Sequence, residues 1–401
     1  MDNRALFLRH VAQTSPSPIG LEMVRAAGIY QYDINNKPYI DFISGFSVAN
    51  IGHSHPKVIA AVQEQAAAYM HLIVYGEFIQ NPQVAYAQLL TSLLPQSLNC
   101  VYFTNSGAEA TEGAMKLAKR STGRTKIIAF NNSYHGSTQG ALSAMGCEYF
   151  RNAYRPLLPE VYHYDYGSAE AVKAIDENVA CVLVEPVQAE SGVTKPPADW
   201  LKLLREACNK WGSLLVFDEI QAGFGRTGSL WAFEQTGVVP DILLLGKALG
   251  GGMPLGAFVA DYKLMQTLTH NPVLGHITTF GGHPVSCAAG KAALEVLLES
   301  NCIKAVKKKE QLLLQYLQHP AILAVQSAGL WASLRFKDFE TNLAIIHRCI
   351  ANGLITDWFL FSPERMRIAP PLIITEQQLA QACEIILQSI KEVVSADRLN
   401  R

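Results

Sequence analysis

A lysine and an aspartate each follow a short apolar run in this chain of 401 residues, at positions where both could do chemistry. Lys247 comes after DILLLG and before ALGGG. Burial at the end of a strand lowers the pKa of a lysine and makes its neutral amine a nucleophile. Asp218 ends the run SLLVFD, where a buried carboxylate needs a cationic partner. That partner is either the pyridinium nitrogen of a bound ligand or a local arginine such as Arg226.

The stretch TNSGAEA (104–110) places small residues where a predicted strand turns into a helix. Backbone N–H groups at the start of a helix bind anions, and Gly107 and Ala108 leave room for a phosphate to approach. Plain N-capping by Ser106 is the alternative interpretation. The two interpretations are compatible, so the stretch is a candidate phosphate site.

Short apolar runs recur along the chain and end in polar or small residues. They are CVYFTNSG (100–107), KIIAFNNS (126–133), ACVLVEPVQ (180–188), SLLVFDEIQ (213–221) and DILLLGK (241–247). Near-continuous hydrophobicity is typical of strands buried on both faces of a parallel sheet, and the helical patterns at 109–119 and 199–211 lie between them. This alternation predicts an α/β sheet covered by helices.

Ligands of such sheets bind beyond the carboxyl ends of the strands, so the polar residues that close the runs should meet at one edge. These residues are Ser106, Tyr134, Glu185, Gln188, Asp218, Gln221 and Lys247. Beyond about residue 300 the pattern changes to helices and shorter strands, which indicates a separate C-terminal lobe.

Basic and acidic residues nearly cancel, 33 against 34, so no field of one sign points to nucleic acid or an anionic membrane. The three-lysine run at 307–309 is interpreted as a solvated helix face. No apolar run reaches the roughly 20 residues needed to span a bilayer. The eight cysteines are scattered singly, without a C-x-x-C pair, so no metal site or disulfide framework is predicted. We expect reduced, largely buried thiols in a cytoplasmic protein.

Eight segments, in order and at fitting spacing, resemble the class III aminotransferases. They are GIYQYDINNKPYIDFISGF, GHSHP, TNSGAEATEGAMKLAKR, YHGST, VEPVQAESG, FDEIQAGFGRTG, LGKALGGGMPLGA and TTFGGHP. The later MRIAPPLIIT resembles the closing substrate-carboxylate motif of that family. The resemblance implies fold type I of the pyridoxal 5′-phosphate (PLP) enzymes, an α/β fold. A large domain (51–300) would hold a mostly parallel seven-stranded sheet between helices. A smaller α+β domain would combine residues 1–50 with 301–401.

The resemblance also implies roles for individual residues. Lys247 would hold PLP as a Schiff base and shuttle a proton, Asp218 would pair with the pyridine nitrogen, and Tyr134 would stack on the ring; these three are the catalytic set. The expected cofactor-binding residues are Ser106, Gly107, Ala108, Tyr134, His135, Glu185, Asp218, Ile220, Gln221, Lys247 and Thr279. Thr279 would reach the phosphate of the neighbouring subunit, which implies an obligate homodimer with shared active sites, with a tetramer as a further option.

For the substrate, the resemblance implies that Arg367 grips a carboxylate and that Glu190 covers this arginine when an amine is bound instead. Phe46 and Tyr75, with Ser44, are expected to line the pocket. The implied reaction is a ping-pong transfer of a terminal amine, from a donor such as an ω-amino acid or an ornithine-type compound, to a 2-oxo acid such as 2-oxoglutarate. Ser137 stands where ornithine and acetylornithine enzymes carry an arginine, so the donor stays open.

Three alternatives remain at this point. GFGRTG (223–228) fits the G-x-G-x-x-G pattern of dinucleotide sites, although DEIQA separates it from the strand and no helix pattern follows at once. An NAD-dependent oxidoreductase is therefore the remote alternative. An aminomutase, racemase or decarboxylase of the same PLP fold keeps the site but breaks a different bond. A non-catalytic PLP-fold binding protein has no need of Lys247, Asp218 and Arg367 together.

Overall fold

The computed structural model describes residues 2–399, in which strands and helices alternate along most of the chain. The strands are β1 (Met23–Ala27), β2 (Tyr30–Asp33), β3 (Pro38–Asp41), β4 (Cys100–Thr104), β5 (Lys126–Phe130), β6 (Val161–Tyr164), β7 (Val179–Val184), β8 (Leu214–Asp218), β9 (Ile242–Leu245), β10 (Gly256–Ala260), β11 (Ala324–Ser327), β12 (Ala332–Arg335), β13 (Leu354–Ile355), β14 (Trp358–Phe359) and β15 (Ser362–Ile368). The helices are α1 (Asn3–His10), α2 (Ser44–Ser47), α3 (Pro56–Ala68), α4 (Asn81–Ser92), α5 (Gly107–Thr122), α6 (Gln139–Ala144), α7 (Glu148–Arg151), α8 (Ala169–Lys173), α9 (Trp200–Trp211), α10 (Tyr262–Met265), α11 (Pro284–Glu299), α12 (Cys302–Tyr316), α13 (Phe339–Ala351) and α14 (Glu376–Leu399).

The five apolar runs form strands of one seven-stranded sheet, whose order is β4-β10-β9-β8-β7-β5-β6. Only β10 is reversed, because it pairs antiparallel with both β4 and β9 while the pairs from β9 to β6 are parallel. The predicted mostly parallel sheet is thereby confirmed. All residues of β7 and β9 are buried, as their unbroken hydrophobicity predicted.

Helices cover both faces of this sheet. Cys181 and Leu183 of β7 belong to the core cluster that contains the apolar residues of α5. Val182 and Val184, which point the other way, belong to the cluster that contains those of α9. Because successive side chains of a strand face opposite sides, a strand between two helix layers must be apolar throughout.

Two four-stranded sheets are built from the two ends of the chain. The first has the order β1-β2-β3-β13, and β13 joins it parallel to β3. The second, β11-β12-β15-β14, is antiparallel throughout. The expected smaller α+β part with contributions from both ends is therefore present. The domain boundaries at residues 50 and 300 stay a prediction.

Helix α5 begins directly after β4, and its sequence supplies a capping residue at each of its two ends. The Ser106 side chain accepts a hydrogen bond from the Glu109 amide at the N-terminus, and Glu109 adds a negative charge to the first turn. Gly123, with φ of 68°, ends the helix in the left-handed conformation that glycine adopts without strain. The start of α5 is thus fixed at the sheet edge.

Arg226, in the GFGRTG turn, connects the large sheet to both ends of the chain. It is fully buried and donates to the carbonyl oxygens of Leu330 (2.9 Å) and Pro370 (2.7 Å) and to Ser44 Oγ (3.1 Å). It also donates to Asn50 Oδ1. Burial lowers the pKa of Arg226 to about 9. Arg226 is therefore a structural connector and not the partner of Asp218.

The lysine run at 307–309 was predicted to form a solvated helix face, and this is wrong for one of its members. Lys307 and Lys308 are exposed, but Lys309 has only 7% exposure and donates from Nζ to the Leu372 carbonyl oxygen at 2.7 Å. In α12 the third lysine turns towards the interior because successive residues rotate by 100° around the helix axis.

Among the described residues, no helix combines the length and apolar character needed to cross a membrane. All eight cysteines are free thiols, and six of them are buried. Burial raises the pKa of Cys181 and of Cys208 to about 12 in each case, so both stay protonated at neutral pH.

Candidate active site

A cavity of about 260 Å³ opens at the carboxyl ends of the central strands. Glu185 follows β7, Asp218 ends β8, and Lys247 lies two residues beyond β9. The cavity is lined by Ser106, Gly107, Ala108, Tyr134, His135, Gly136, Ser137, Glu185, Val187, Ala189, Asp218, Ile220, Gln221, Ala222 and Lys247. The sheet edge thus brings together nearly all of the residues that the strand ends were expected to contribute.

Lys247 projects into this cavity from a constrained backbone. Its φ is 50°, which is unusual for a residue with a side chain and is tolerated here between glycine-rich turns. The Nζ atom donates to Gln221 Oε1 at 2.6 Å. Burial lowers the pKa of Lys247 from 10.5 to about 8, so the amine is much more often neutral than that of an exposed lysine.

Asp218 is held by two donors. Its Oδ2 lies 2.7 Å from His135 Nδ1, and its Oδ1 accepts from the Ile220 amide at 3.0 Å. Glu185 is a second buried carboxyl group of the cavity, and burial together with the charge of Asp218 raises its pKa well above the usual range. Protonation of Glu185 is therefore favoured relative to an exposed glutamate, and the Asp218 carboxylate faces the same cavity.

The start of α5 forms one wall of the cavity. Two glycines of the cavity lining, Gly107 in α5 and Gly136 in the neighbouring loop, have little space around them. A Cβ atom on Gly107 would lie 2.7 Å from Ile220 Cδ1, and one on Gly136 would lie 2.4 Å from Ala108 Cβ. The first amides of a helix have no carbonyl partner within it. Small residues therefore let the free amides of Gly107 and Ala108 face the cavity and bind an anion.

Arg367 and Glu190 form a buried, bidentate ion pair next to this cavity. Nη1 donates to Glu190 Oε1 at 2.9 Å and Nη2 donates to Oε2 at 2.8 Å. Burial alone would raise the pKa of Glu190, but the Arg367 guanidinium outweighs burial and lowers it. Phe46, in the left-handed turn α2, places its ring 5.1 Å from the guanidinium carbon of Arg367.

Two residues of this neighbourhood were not singled out in the sequence. Asp357 Oδ1 accepts from Arg367 Nε at 2.9 Å, and the Phe359 ring lies 4.3 Å from the guanidinium carbon. They reach Arg367 through the antiparallel pairing of β14 with β15. A short strand of two residues has no detectable periodicity, so the sequence carried no signal for this pairing.

Several expected residues lie elsewhere. Tyr75 lines a separate cavity of about 280 Å³ together with Thr278 and Gly281, and Thr279 is exposed. The Gln188 side chain points away from the active-site cavity and donates to Asn131 O (2.7 Å) and Ser133 Oγ (2.9 Å).

Ser44, another expected pocket residue, is buried and donates to the Ala369 carbonyl oxygen at 2.6 Å.

Comparison with known proteins agrees with this geometry. The family model for aminotransferase class III matches residues 11–390. The chain belongs to the class III aminotransferase family. It is 39% identical to the acetylornithine aminotransferase of Methanopyrus kandleri, over 98% of this chain and 99% of that protein.

Solved structures of class III aminotransferases resemble the chain over almost its whole length. The ornithine aminotransferase of Toxoplasma gondii, which holds PLP at partial occupancy in its active site, superposes with a TM-score of 0.90. It is 30% identical, with 98% of this chain and 94% of that chain covered. An (S)-enantioselective omega-transaminase from Thermomicrobium roseum gives a TM-score of 0.88 at 27% identity, with coverage of 98% and 97%.

This class III aminotransferase is therefore a PLP-dependent enzyme that transfers amino groups between small molecules, an amino donor and a 2-oxo acid. The remote oxidoreductase alternative is wrong. GFGRTG lies in the turns between β8 and β9 and leads into a short 3₁₀ segment, Ala232–Gln235, and not into the α-helix of a dinucleotide site.

The cavity fits PLP by its own chemistry. The free amides at the start of α5 suit a phosphate, and the Asp218 carboxylate suits a pyridinium nitrogen. Gln221 Nε2 and His135 Nε2 are buried without a hydrogen-bond partner among the described residues, as expected of polar atoms that a bound ligand would satisfy. Tyr134 and Ile220 both line the space between these ends.

Proposed function

We propose that this aminotransferase moves a terminal amine from an ω-amino donor to a 2-oxo acid such as 2-oxoglutarate, by a ping-pong mechanism. The observation that carries the proposal is the bidentate Glu190–Arg367 pair beside the cavity of Lys247. An arginine that is covered by a carboxylate of its own chain presents no net cation to an incoming ammonium group. Uncovered, the same arginine matches a carboxylate in bidentate geometry.

Each residue of the cavity has a task in this proposal. PLP supplies the electron sink that makes the hydrogen on the amine-bearing carbon acidic. Asp218 would keep the pyridine nitrogen protonated, and Lys247 Nζ would hold the cofactor and move the proton. Ser106, Gly107 and Ala108 would bind the phosphate.

The remaining cavity residues position the ring. Tyr134 and Ile220, which both line the cavity, would hold the ring between them, and Gln221 would hydrogen-bond its hydroxyl group. His135 orients Asp218, and Glu185 fixes the Tyr134 segment through the Tyr134 amide at 3.4 Å.

Glu190 acts as a cover that the acceptor displaces. When Arg367 is uncovered, the Glu190 side chain gives up both bonds from the guanidinium group and one bond from the Leu360 amide at 2.9 Å. The carboxylate of a 2-oxo acid accepts two new bonds from Arg367. The free energy lost when Glu190 leaves is therefore largely regained when the acceptor binds. A plain amine offers no such replacement, and the cover stays in place.

Ser137 guides the choice of donor. Its hydroxyl lies 3.2 Å from Tyr134 OH at the cavity wall, and none of the described residues that line the cavity is an arginine. The α-carboxylate of ornithine or N-acetylornithine, the one carboxylate that each carries, therefore has no arginine among the described lining residues to clamp it on this side of the cavity. We therefore favour an ω-amine or simple ω-amino acid over ornithine and acetylornithine, in spite of the names of the relatives.

We further propose an obligate homodimer with shared active sites, with pairing of dimers into a tetramer as a further option. The loop segments 70–80 and 273–281 meet at His71 and Phe280, whose ring centroids are 4.8 Å apart. They expose a run of large apolar side chains, namely Met70, Phe78, Ile79, Val273, Ile277 and Phe280. A patch of this kind on a folded chain marks an interface.

In the proposed dimer, Tyr75 and Thr279 lie on this surface and would complete the site of the neighbouring subunit. The free thiols fit a cytoplasmic enzyme. Residues 51–300 would form the cofactor-binding domain of each subunit.

An aminomutase, decarboxylase or racemase of the same fold is the second candidate. Each of these reactions uses one substrate, which has no need of an arginine that is alternately covered and free. The Glu190–Arg367 pair therefore favours transfer.

The test uses the purified enzyme with PLP and single donors: ornithine, N-acetylornithine, lysine, 4-aminobutyrate, a diamine and alanine. An active donor bleaches the visible absorption of the bound cofactor, and 2-oxoglutarate then restores it and yields glutamate. Lys247→Ala is the control and should lose at least about 1000-fold of this turnover. Consumption of a donor without formation of glutamate would support the second candidate instead.

A further inference from the structure

Arg367 is bonded to two carboxylates on different edges of its guanidinium group. Glu190 occupies the edge formed by Nη1 and Nη2, at 2.9 and 2.8 Å. Asp357 Oδ1 accepts from Nε at 2.9 Å, and Nη2 also donates to the Trp358 carbonyl oxygen at 3.2 Å. The Nη1/Nη2 edge is the one that can receive a substrate carboxylate in bidentate geometry. The Nε edge is not needed for that exchange.

The two carboxylates differ in how firmly the fold holds them relative to Arg367. Asp357 is tied to Arg367 by the backbone as well, because the Arg367 amide donates to the Asp357 carbonyl oxygen at 2.8 Å. Thr356 Oγ1 donates to the Arg367 carbonyl oxygen at 2.6 Å, which fastens the same two segments again. Glu190 belongs to the turn between Gln188 and Thr194, more than one hundred residues away in sequence. The backbone therefore fastens Asp357 to Arg367 directly. The Glu190 backbone is held by the Phe361 amide at 3.1 Å, so displacement of Glu190 involves its side chain alone.

We infer that Asp357 is a positioning and specificity-determining residue, which keeps the Arg367 guanidinium charged, oriented and ready for a carboxylate while Glu190 is displaced. The inference rests on the proposed function, in which Arg367 alternates between Glu190 and the acceptor. Asp357 does not touch the reacting atoms and acts through Arg367.

Burial makes such a second carboxylate necessary. Arg367 has 2% exposure and lies near two phenylalanine rings, Phe46 and Phe359. When Glu190 leaves, a buried cation without a partner would cost several kcal/mol. Burial raises the pKa of Asp357 to about 6 against the opposing charge of Arg367, so Asp357 is anionic at neutral pH and offsets that cost.

Orientation is the other contribution of Asp357. The Nε bond fixes the plane of the guanidinium group, since Nε is rigidly coplanar with Nη1 and Nη2. The Nη1/Nη2 edge then points in the same direction whether Glu190 or a substrate occupies it. Without Asp357, the bond from Nη2 to the Trp358 carbonyl oxygen at 3.2 Å is the hydrogen bond that still orients the guanidinium group once Glu190 has left.

The experiment compares the two half-reactions in the holoenzyme for Asp357→Ala, Asp357→Asn and Glu364→Ala. Glu364 is the matched control, a carboxylate 3.7 Å from Arg365 on the same strand. The first half-reaction uses a diamine and is followed by bleaching of the cofactor. The second uses 2-oxoglutarate and is followed by recovery of the visible absorption.

For Asp357→Ala we expect the KM for 2-oxoglutarate to rise at least about tenfold, since a charge-assisted hydrogen bond is lost. The rate with the diamine should stay within about threefold. Asp357→Asn keeps an acceptor for Nε but not the negative charge, so its KM should lie between those of wild type and Asp357→Ala. Glu364→Ala should change neither half-reaction.

Asp357→Ala overturns the inference if its KM for 2-oxoglutarate stays within about twofold of wild type, or if both half-reactions lose equally. Arg367→Ala separates this failure from that of the proposed function. If Arg367→Ala leaves the KM for 2-oxoglutarate unchanged, the carboxylate clamp itself is wrong. If Arg367→Ala raises the KM and Asp357→Ala does not, only the role of Asp357 is wrong.

Discussion

Asp218 Oδ2 lies 2.7 Å from His135 Nδ1, and the fully buried Arg226 is bonded instead to oxygens of other segments. The local arginine that could have neutralised Asp218 is thus engaged elsewhere. The carboxylate keeps the capacity to pair with a ring nitrogen.

Asp218→Asn should lower kcat/KM for any active donor by at least about 100-fold, because an amide cannot hold the pyridine nitrogen in its protonated form. The measurement is steady-state kinetics with enzyme saturated with PLP. Asp199→Asn, a change of the same type at an exposed position, should leave kcat/KM unaltered.

The low pKa of Lys247 should be visible when apoenzyme recombines with PLP. Only the neutral amine attacks the cofactor, so the rate of recombination should rise with pH and level off above about 8, and not above the ordinary 10.5. The Glu190 carboxylate raises this pKa, so Glu190→Gln should move the midpoint to lower pH. A wild-type midpoint near 10 would contradict a desolvated Lys247.

Arg226→Leu should destabilise the fold by about 3 kcal/mol or more, because four buried acceptors lose their donor. The urea midpoint at fixed protein concentration measures the effect. Arg348→Ala is the control: Arg348 is 51% exposed and pairs with Glu392 at the surface, and its loss should cost less than about 1 kcal/mol.

Two inactive variants, one changed at Lys247 and one at Thr279, should restore activity when their subunits are combined in one dimer. Lys247→Ala and Thr279→Glu should each be inactive, the second because its charge repels the phosphate. Subunits mixed in denaturant and refolded together should recover about a quarter of wild-type activity, since half of the dimers are mixed and each holds one complete site. Recovery no higher than that of either variant alone would argue against shared sites.

The sequence was informative where local pattern decides the structure. Continuous apolar runs predicted the central strands, and the residues at their ends, from Ser106 to Lys247, line one cavity. Gln188 is the exception, because the turn that follows Glu185 directs its side chain to Asn131 and Ser133.

What the sequence did not reveal depends on contacts between distant segments. Asp357 and Phe359 reach Arg367 through a two-residue strand that is too short to show a period. Lys309 is buried and donates to the Leu372 carbonyl oxygen. Counting charges along α12 does not detect this contact, because Leu372 lies in a distant segment. Tyr75 and Thr279 lie outside the active-site cavity of their own chain, and their expected roles stay a prediction that the mixed-subunit experiment tests.

The parallel pairing of β3 with β13 constrains how the protein is made on the ribosome. Residues 38–41 pair with β2 on one side, but they find their second neighbouring strand only after residues 354–355 have emerged. Lys37 also reaches the Ala351 carbonyl oxygen across 314 residues. The central sheet can form first from its own consecutive units, whereas the N-terminal strands wait for closure of a very long loop. During synthesis these strands present an unpaired edge, so chaperone dependence should be concentrated in the first fifty residues of the nascent chain.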